Sequence, residues 1–209
     1  MADREQKLVL YANRIRSLAQ NGLVYAVDEY NRERYEELLQ LSHEILSVVS
    51  GHSVEKIASC FFVEEDYVTP KVDVRAVVFN EQKELLLVRE RADGCWSLPG
   101  GWADVGYSPG EIAVKEVREE SGLEVEPVRL LAVYDKKCHP HPPALHYAYK
   151  LFIECELLGG TLHVPFDVLD CGFFSPGKLP PLSLERVLPE QIARLVELCD
   201  DPAAAVDFD

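Results

Sequence analysis

Three glutamates of one predicted helix, Glu116, Glu119 and Glu120, are the residues best suited to do chemistry. Counted at 100° per residue from the apolar Ile112, Glu116 falls at about 40° and Glu120 at about 80°. Glu119 flanks them at about 340°, and Ala113 bounds the sector on its other side, which directs the sector toward the interior. A buried carboxylate must be protonated, paired or bound to metal. Three such groups form a hard oxygen site that suits Mg²⁺ or Mn²⁺.

The helix that carries these glutamates has complete boundary signals. Ser108 is placed as its N-cap, Pro109 stands at the first helical position, and Glu111 completes a capping box. Gly122 follows the last turn, where glycine commonly ends a helix. A second interpretation of the same residues is a solvated acidic surface held by i,i+4 pairs such as Glu111 with Lys115. Helix geometry alone leaves both interpretations open.

A glycine-rich loop precedes the helix, with the sequence Trp96-Ser97-Leu98-Pro99-Gly100-Gly101-Trp102. Paired glycines let backbone carbonyl groups approach a ligand closely. A carbonyl oxygen from this loop can therefore complete a metal shell that the glutamates begin.

Alternating and helical patterns define the elements around this site. Val72–Val78 alternates with polar residues at the strand period of two, and Leu85–Val88 follows after a polar turn. Further strands are expected near Leu130–Tyr134, Tyr147–Leu157 and Thr161–Val164, with a turn at Gly159-Gly160 and a C-terminal helix over Pro189–Cys199. Strands mixed with a few helices predict an α/β or α+β sandwich.

The N-terminal part of the chain carries two helical patterns. Apolar residues recur there at spacings of three and four, namely Leu8, Tyr11, Ile15 and Leu18, then Leu38, Leu41, Ile45 and Val48. Asn21-Gly22 is expected to break the first helix, and Gly51 to end the second. Such helices bury little alone, so we expect them to pack on the rest of the chain or on a second copy.

The composition describes a globular, acidic protein. Apolar residues make up 47% and charged residues 27% of the 209 residues, and the net charge is −15. This charge argues against nucleic acid and anionic membranes as partners. No run reaches the roughly 18 apolar residues of a membrane span, and the N-terminus lacks the pattern of a secretory signal. Because the six cysteines are scattered, we expect reduced thiols and a cytoplasmic protein.

The segment from Gly101 to Leu123 has a specific spacing of charged residues, Gly101-x5-Tyr107-x7-Lys115-Glu116-Val117-x-Glu119-Glu120-x-Gly122-Leu123. It resembles the Nudix box, G-x5-E-x7-R-E-U-x-E-E-x-G-U, in which U is a bulky aliphatic residue. Tyr107 departs from the usual Glu and Lys115 from the usual Arg, whereas the other fixed positions match. The resemblance implies the Nudix fold, a mixed sheet in an α/β/α sandwich, from about Lys71 to the C-terminal helix.

The resemblance also implies an activity and a set of roles. Nudix enzymes cleave the pyrophosphate bond of a nucleoside diphosphate linked to a group X, with Mg²⁺ or Mn²⁺. Carried onto this chain, Glu116 and Glu120 are the main metal ligands, and the carbonyl of Gly100 is a further one. Glu119 joins them or holds a metal-bound water. Lys115 supplies charge but lacks the planar fork of arginine.

A narrower resemblance covers the N-terminal part. Leu18-Ala19-Gln20-Asn21-Gly22-Leu23-Val24-Tyr25 and Asp28-x-Tyr30-x3-Arg34-Tyr35 are similar to the helical domain that precedes one Nudix subgroup, as are Tyr67–Arg75 and Gly172-Phe173-Phe174. This divides the chain into a helical domain, 1–66, and a Nudix hydrolase domain, 67–209. The subgroup includes CDP-choline pyrophosphatases and proteins labelled ADP-ribose pyrophosphatases, and it tends to dimerise. We therefore expect a small nucleotide-derived substrate and a homodimer.

Further candidates lie outside the helix. A carboxylate elsewhere in the chain often acts as the base in this family, and Asp170 is our candidate, with Asp167 as the second choice. Asp170 joins Glu119 and Glu120 as the predicted catalytic residues. Arg75, Arg89 and Arg91 lie on or after the first two strands, where an arginine can clamp a phosphate bidentately. The alternative for each is an ordinary surface side chain.

The segment from Cys138 to His146 is rich in histidine and proline. Only His141-x4-His146 has a spacing typical of zinc ligands, so a zinc site is the weaker interpretation. We favour a stiff loop near the substrate, in which His139 or His146 contacts the base or a phosphate, and His139 is our candidate.

Two other functions compete with the hydrolase. Tyr107 and Lys115 allow a catalytically weak, Nudix-like nucleotide sensor, although the intact glutamates argue against it. An RNA-trimming nuclease with the same metals is chemically feasible, but it needs a basic groove that the sequence does not show.

Overall fold

The computed structural model describes residues 2–61 and 67–209, which form two compact units. The first comprises the chain up to Pro70 and the segment Pro142–Tyr147, and the second comprises Lys71–His141 and Ala148–Asp209. The expected domain boundary between residues 66 and 67 falls at the edge of the described residues, which do not include residue 66.

The described residues of the first unit form three helices: α1 (Ala2–Tyr25), α2 (Glu29–Ser50) and α3 (Val54–Ser59). Asp28 caps the start of α2 and Ser53 that of α3 through side-chain hydrogen bonds to the first turn. Gly51 ends α2 in the left-handed conformation, as expected. The three helices contribute one residue each to a small core of Ala12, Leu46 and Ile57.

The predicted break of the first helix at Asn21-Gly22 is wrong, because α1 continues to Tyr25. Gly22 instead lets α1 and α2 approach closely, since a Cβ atom on it would lie 2.4 Å from a ring carbon of Tyr35. The side chain of Asn21 accepts a hydrogen bond of 2.7 Å from the backbone N–H of Val68. Both residues therefore serve tertiary contacts rather than a turn.

The predicted apolar stripes of α1 and α2 lie at the surface of this unit. Their most exposed members are Tyr11 at 57%, Leu18 at 52%, Leu41 at 44% and Val48 at 84%. Ala12 and Leu46 fill the interior instead. The apolar spacing thus predicted the helices correctly, and of the two stripes Ile45 packs against this core while the most exposed members remain available for a second copy.

The second unit contains two sheets and two helices. Its strands are β1 (Lys71–Val78), β2 (Leu85–Glu90), β3 (Trp96–Ser97), β4 (Gly100–Trp102), β5 (Leu123–Asp135), β6 (Ala148–Gly160), β7 (Val168–Phe174) and β8 (Asp207–Phe208). Its helices are α4 (Pro109–Ser121) and α5 (Pro189–Asp200), and a short 3-10 turn covers Lys136–Cys138. The sheet orders are β4-β1-β6-β5-β8 and β3-β2-β7. The pair β1–β6 is parallel, whereas β1–β4 and β5–β6 are antiparallel.

Alternate side chains of the strands face different helices. One core joins α5 to the strands through Val77, Leu85, Leu87, Phe152, Ile192 and Leu195. The other joins α4 to them through Val74, Ala76, Leu86, Ile153, Ile112 and Val117. Because successive strand residues point to opposite faces, this arrangement is a sandwich with a helix on each side. The predicted mixed α/β architecture preceded by helices is confirmed.

Two local predictions in the second half of the chain are wrong. The expected strand Thr161–Val164 is irregular, and a strand forms later, at Val168–Phe174, where it pairs with β2. Gly159-Gly160 is not a turn, since both residues end β6 and pair with the start of β5. Across the described residues, no helix is both long and apolar enough to cross a membrane.

Candidate active site

The helix α4 begins and ends where its sequence predicts. The Ser108 side chain accepts a hydrogen bond from the N–H of Glu111, and Glu111 accepts one from the N–H of Ser108 at 2.8 Å. Gly122 ends the helix in the left-handed conformation. The buried Ile112 and Val117 fix the face that turns toward the sheet. The helix therefore has a fixed length and rotation, which determine where its glutamates point.

The paired glycines bring the backbone of β4 against β1 and α4. A Cβ atom on Gly100 would lie 2.0 Å from the carbonyl oxygen of Val74, and one on Gly101 would lie 3.1 Å from Oε1 of Glu116. The N–H of Gly100 donates a 2.9 Å hydrogen bond to Oε2 of Glu120. Only glycine allows this approach, so the loop sets the position of Glu120.

Glu120 is a desolvated carboxyl group. Its burial raises its pKa from 4.5 to about 8, although the charge of Arg75 and the N–H of Gly100 act in the opposite direction. Burial also raises the pKa of Glu116, against the effect of the Lys115 ammonium. The negative charge of Glu116 also raises the pKa of Glu120, and that of Glu119 raises the pKa of Glu116. A cation bound here would relieve both effects.

Lys115, which stands where the family usually has arginine, lies among carboxylates. Its ammonium is 3.0 Å from Oδ2 of Asp104, 3.5 Å from Oε2 of Glu119 and 3.9 Å from Oε1 of Glu116. Only the contact with Asp104 has hydrogen-bond length. The single ammonium therefore connects three acids, where a guanidinium can hold two of them by a planar fork. Sequence reasoning missed Asp104.

The donor chemistry of this cluster fits a divalent cation. Glu116, Glu119 and Glu120 offer only hard oxygen donors, and the raised pKa of Glu120 marks a carboxyl group whose desolvation is only partly compensated by Arg75 and the N–H of Gly100. The described residues nevertheless contain no group of three or more His, Cys, Asp or Glu side chains that already converge as a metal shell. Glu119 is half-exposed and turned toward Lys115. The chemistry fits, and the metal-ligand roles of these residues and of the Gly100 carbonyl stay predictions.

A buried ion network lies under the Gly100 loop. Arg75 donates from Nε to Oδ1 of Asp73 at 2.9 Å and from Nη1 to the carbonyl of Leu98 at 3.1 Å. Lys150, which is only 1% exposed, pairs with the other oxygen of Asp73. Oε1 of Glu90 lies 3.7 Å from Nη1 of Arg75. The predicted phosphate-binding residue Arg75 is thus 5% exposed and already engaged with protein groups.

The other candidates outside α4 lie on the three-stranded sheet. Arg89 and Asp170 are partners in the register between β2 and β7, and both are exposed. Nε of Arg89 donates to the carbonyl of Gly94, and Oδ1 of Asp170 accepts from the N–H of Cys171. Arg91 donates to the carbonyl of Phe166 at 2.7 Å. Their proposed roles in substrate binding and proton transfer stay predictions.

His139 lies at the other edge of the large sheet. Its ring is 4.5 Å from that of Tyr134, and its Nε2 is 3.2 Å from Oδ2 of Asp209. His141 is buried, and its Nδ1 lies 2.7 Å from the carbonyl of Leu184. Burial lowers the pKa of His141 to about 4. His141 is therefore held as a neutral, structural histidine.

Comparison with known protein families matches both units of the chain. Residues 6–61 match the family model described as a UDP-X-like, N-terminal oligomerisation domain, and residues 69–195 match that of the NUDIX domain. The chain belongs to the Nudix family. The Nudix model includes the Gly100 loop, α4 and all three of its glutamates.

Several Nudix proteins resemble the chain along most of its length. YjhB of Bacillus subtilis, provisionally named an ADP-ribose pyrophosphatase, is 45% identical over 198 residues, which cover 95% of each chain. The crystal structure of a UDP-X diphosphatase is 33% identical, with a TM-score of 0.63, and covers 98% of this chain and 99% of that one. An ADP-ribose pyrophosphatase from Streptococcus suis is 44% identical, with a TM-score of 0.61, over 68% of this chain and 100% of that one.

These similarities confirm the predicted family and enzyme class. The chain is a Nudix hydrolase. Members of this family generally require a divalent metal ion.

Proposed function

We propose that this enzyme hydrolyses the pyrophosphate bond of a nucleoside diphosphate linked to a group X, with Mg²⁺ or Mn²⁺ as cofactor. ADP-ribose and CDP-choline are the first substrates to test. The proposal depends mainly on Glu120, a desolvated carboxyl group held by the N–H of Gly100 within one helical turn of Glu116. The relatives named as ADP-ribose pyrophosphatases and a UDP-X diphosphatase support the substrate class.

Each residue of the cluster has a proposed part. Glu116, Glu119 and Glu120, with the Gly100 carbonyl, would hold one or more divalent ions, which neutralise diphosphate charge and acidify a bound water. The N–H of Gly100 fixes the direction of the Glu120 carboxylate. Arg75 favours the ionised form of Glu120, as its charge lowers the pKa of that group.

Proton transfer and substrate contacts fall to residues beyond α4. We assign the base to Asp170, whose Oδ1 already accepts from the N–H of Cys171, so that Oδ2 would take the proton from water. Arg89, Arg91 and His139 are the proposed contacts for phosphate or base. These four assignments rest on the sequence resemblance and on polar contacts that hold each side chain in place.

A substrate panel tests the proposal. ADP-ribose, CDP-choline, UDP-linked sugars, NADH and nucleoside triphosphates are incubated with Mg²⁺, with Mn²⁺ and with EDTA, and products are identified by mass. We expect cleavage of a diphosphate diester into two monophosphates that is lost in EDTA. Equal turnover in EDTA would contradict the metal role, and tight binding without turnover would contradict the hydrolase in favour of a sensor.

We also propose a homodimer formed through α1 and α2. The exposed stripe residues Leu18 and Leu41 would be covered by the second copy, and the match to an oligomerisation domain supports this. Light scattering should give twice the chain mass for the wild type. Leu41→Glu should lower it to one chain, whereas Gln40→Glu, an exposed neighbour, should leave it unchanged. A monomeric wild type would contradict the proposal.

We further propose that the enzyme works in the reducing cytoplasm. All six cysteines are free thiols in the structure, and burial raises the pKa of Cys155 and of Cys199 to about 12. Two of them are therefore protonated and unreactive at neutral pH. Titration with a thiol reagent in the native and denatured protein tests this. Fewer than six reactive thiols after denaturation under non-reducing conditions would contradict it.

A further inference from the structure

The face of the large sheet opposite α4 carries an unusual collection of charges. Asp73 is paired with both Arg75 and Lys150, and all three are buried. Beside them, Glu90 lies 3.7 Å from Arg75 and 2.9 Å from Nε of Arg186. Asp73, Arg75 and Lys150 share the sheet face of Val77 and Phe152, which pack toward α5.

Lys136 adds a further cation to this group. It begins the 3-10 turn after β5 and is half-buried. Among the described residues its ammonium makes no hydrogen bond or ion pair, whereas the neighbouring Lys137 lies 3.0 Å from Oδ2 of Asp135. Burial lowers the pKa of Lys136, and the charges of Arg186 and Arg75 act in the same direction. The acids that oppose this are the exposed Glu185 and Asp73, which already holds two cations.

Lys136 differs in this respect from the other cations of the group. Arg75 and Lys150 both contact Asp73, and Arg186 lies 2.9 Å from Oε1 of Glu90 and 3.7 Å from Oδ2 of Asp93. Desolvating a cation without a partner is unfavourable, so such a cation is commonly compensated by a bound anion. The ammonium of Lys136 is therefore suited to meet an anionic group of a ligand.

The sheet register connects this group to the catalytic loop. Tyr134 lies opposite Lys150, Lys150 beside Asp73, and Asp73 opposite Trp102, which follows Gly101. Lys136 comes two residues after Tyr134. Neighbouring strands are about 4.8 Å apart, so the row from β4 to β5 spans about 14 Å. Arg75 lies within electrostatic range of both Lys136 and Glu120.

We propose that the ammonium of Lys136 is a phosphate-binding group of the active site, which donates a hydrogen bond to a phosphoryl oxygen of the bound nucleotide. This rests on the proposed function. The phosphoryl oxygen belongs either to the nucleoside side or to the X side of the diphosphate.

Steady-state kinetics of Lys136→Met with ADP-ribose and Mg²⁺ tests the proposal, with Lys137→Met as the matched control. Loss of a charged hydrogen bond should raise KM roughly tenfold to hundredfold and change kcat less. Lys137→Met should behave as the wild type, and Lys136→Arg should recover most of the affinity. The thermal midpoint of Lys136→Met should stay the same or rise, because an unpaired, half-buried cation is removed. A structural role would lower it.

Product inhibition distinguishes the two sources of the phosphoryl group. A weaker inhibition of Lys136→Met by AMP assigns Lys136 to the nucleoside side, and a weaker inhibition by ribose 5-phosphate assigns it to the X side. Unchanged KM and unchanged inhibition by both would overturn the proposal, as would equal effects of the Lys136 and Lys137 variants.

If the wild type hydrolyses no diphosphate, the proposed function is wrong, and the phosphate-binding role of Lys136 is tested separately by binding. Calorimetric binding of inorganic pyrophosphate and of ADP-ribose is then compared between wild type and Lys136→Met. Binding that is weaker in the variant supports a phosphate site at Lys136 without the hydrolase. Equal binding, or no binding by the wild type, overturns the inference.

Discussion

Replacing Gly100 by alanine tests the closest backbone approach in the active site. The residue has φ +146°, and the added Cβ would lie 2.0 Å from the carbonyl oxygen of Val74 and 2.9 Å from Cα of Arg75. Both are backbone atoms of β1, which cannot rotate away as a side chain can. The unfavourable φ costs about 1–2 kcal/mol and the forced separation about 1–3 kcal/mol. We therefore expect the free energy of unfolding to fall by about 2–5 kcal/mol.

Gly106→Ala is the matched control, because Gly106 also has a positive φ, +97°, but no atom lies within 4 Å of its added Cβ. It should lose only the backbone contribution, about 1–2 kcal/mol. Urea unfolding followed by tryptophan fluorescence measures both variants, as the two tryptophans, Trp96 and Trp102, lie in or beside the same loop.

The same substitution should reduce turnover, since β4 must move and the N–H of Gly100 then leaves Oε2 of Glu120. Gly106→Ala should keep most of its activity. If Gly100→Ala and Gly106→Ala lower the free energy of unfolding equally, the close approach of β4 to β1 does not exist. If Gly100→Ala loses stability but keeps full turnover, the hydrogen bond to Glu120 does not position a catalytic group.

Three other perturbations test contacts of the second unit. Burial raises the pKa of Glu120 in the folded state, so in EDTA its contribution to the free energy of unfolding is full below about pH 4.5 and is lost as the pH rises through about 8. Glu120→Gln should flatten this part of the pH dependence in urea titrations. The same variant should abolish turnover with Mg²⁺. Arg129→Met should lower the free energy of unfolding by about 2–3 kcal/mol in thermal scans, since Arg129 donates to Glu154 and to the carbonyl of Leu198, each at 2.6 Å; no change would refute its role at the end of α5. Lys115→Met should raise the half-saturating Mg²⁺ concentration about 10–100-fold; an ammonium that only competes with the metal would lower it.

Sequence reasoning succeeded where the signals are local. Ser108, Glu111 and Gly122 stand at fixed offsets along one helix, so both ends of α4 follow from neighbouring residues. The buried alternation of β1 is also contained in one short segment. The inward placement of Glu116 and Glu120 was predictable because a well-bounded helix with a clear apolar face fixes its own rotation, whereas Glu119 is half-exposed.

It failed where the partner is distant in sequence. The strand Val168–Phe174 pairs with β2, which lies far earlier in the chain, and its own residues show little alternation. Gly22 was interpreted as a break because the ring of Tyr35, which requires a small residue there, is not visible from the local pattern. The apolar stripes that contain Leu18 and Leu41 were expected to pack on the rest of the chain or on a second copy, because the spacing of residues cannot distinguish a core face from an interface.

The charged residues of β1 show how one strand can organise both sides of the site. Val74 and Ala76 pack toward α4 and support the helix that carries the glutamates. Asp73 and Arg75 point to the other face, where Lys150 joins them. Asp73 and Arg75 were visible in the sequence as polar residues in a strand, and this pattern ordinarily indicates a solvated face. Here both faces are covered by helices, so polar residues on β1 needed buried partners. A polar pair within a strand that is covered by helices on both sides therefore indicates a buried charge network. Lys136 lies beside the network of this protein and has no partner among the described residues, so it is the residue to examine for ligand contact.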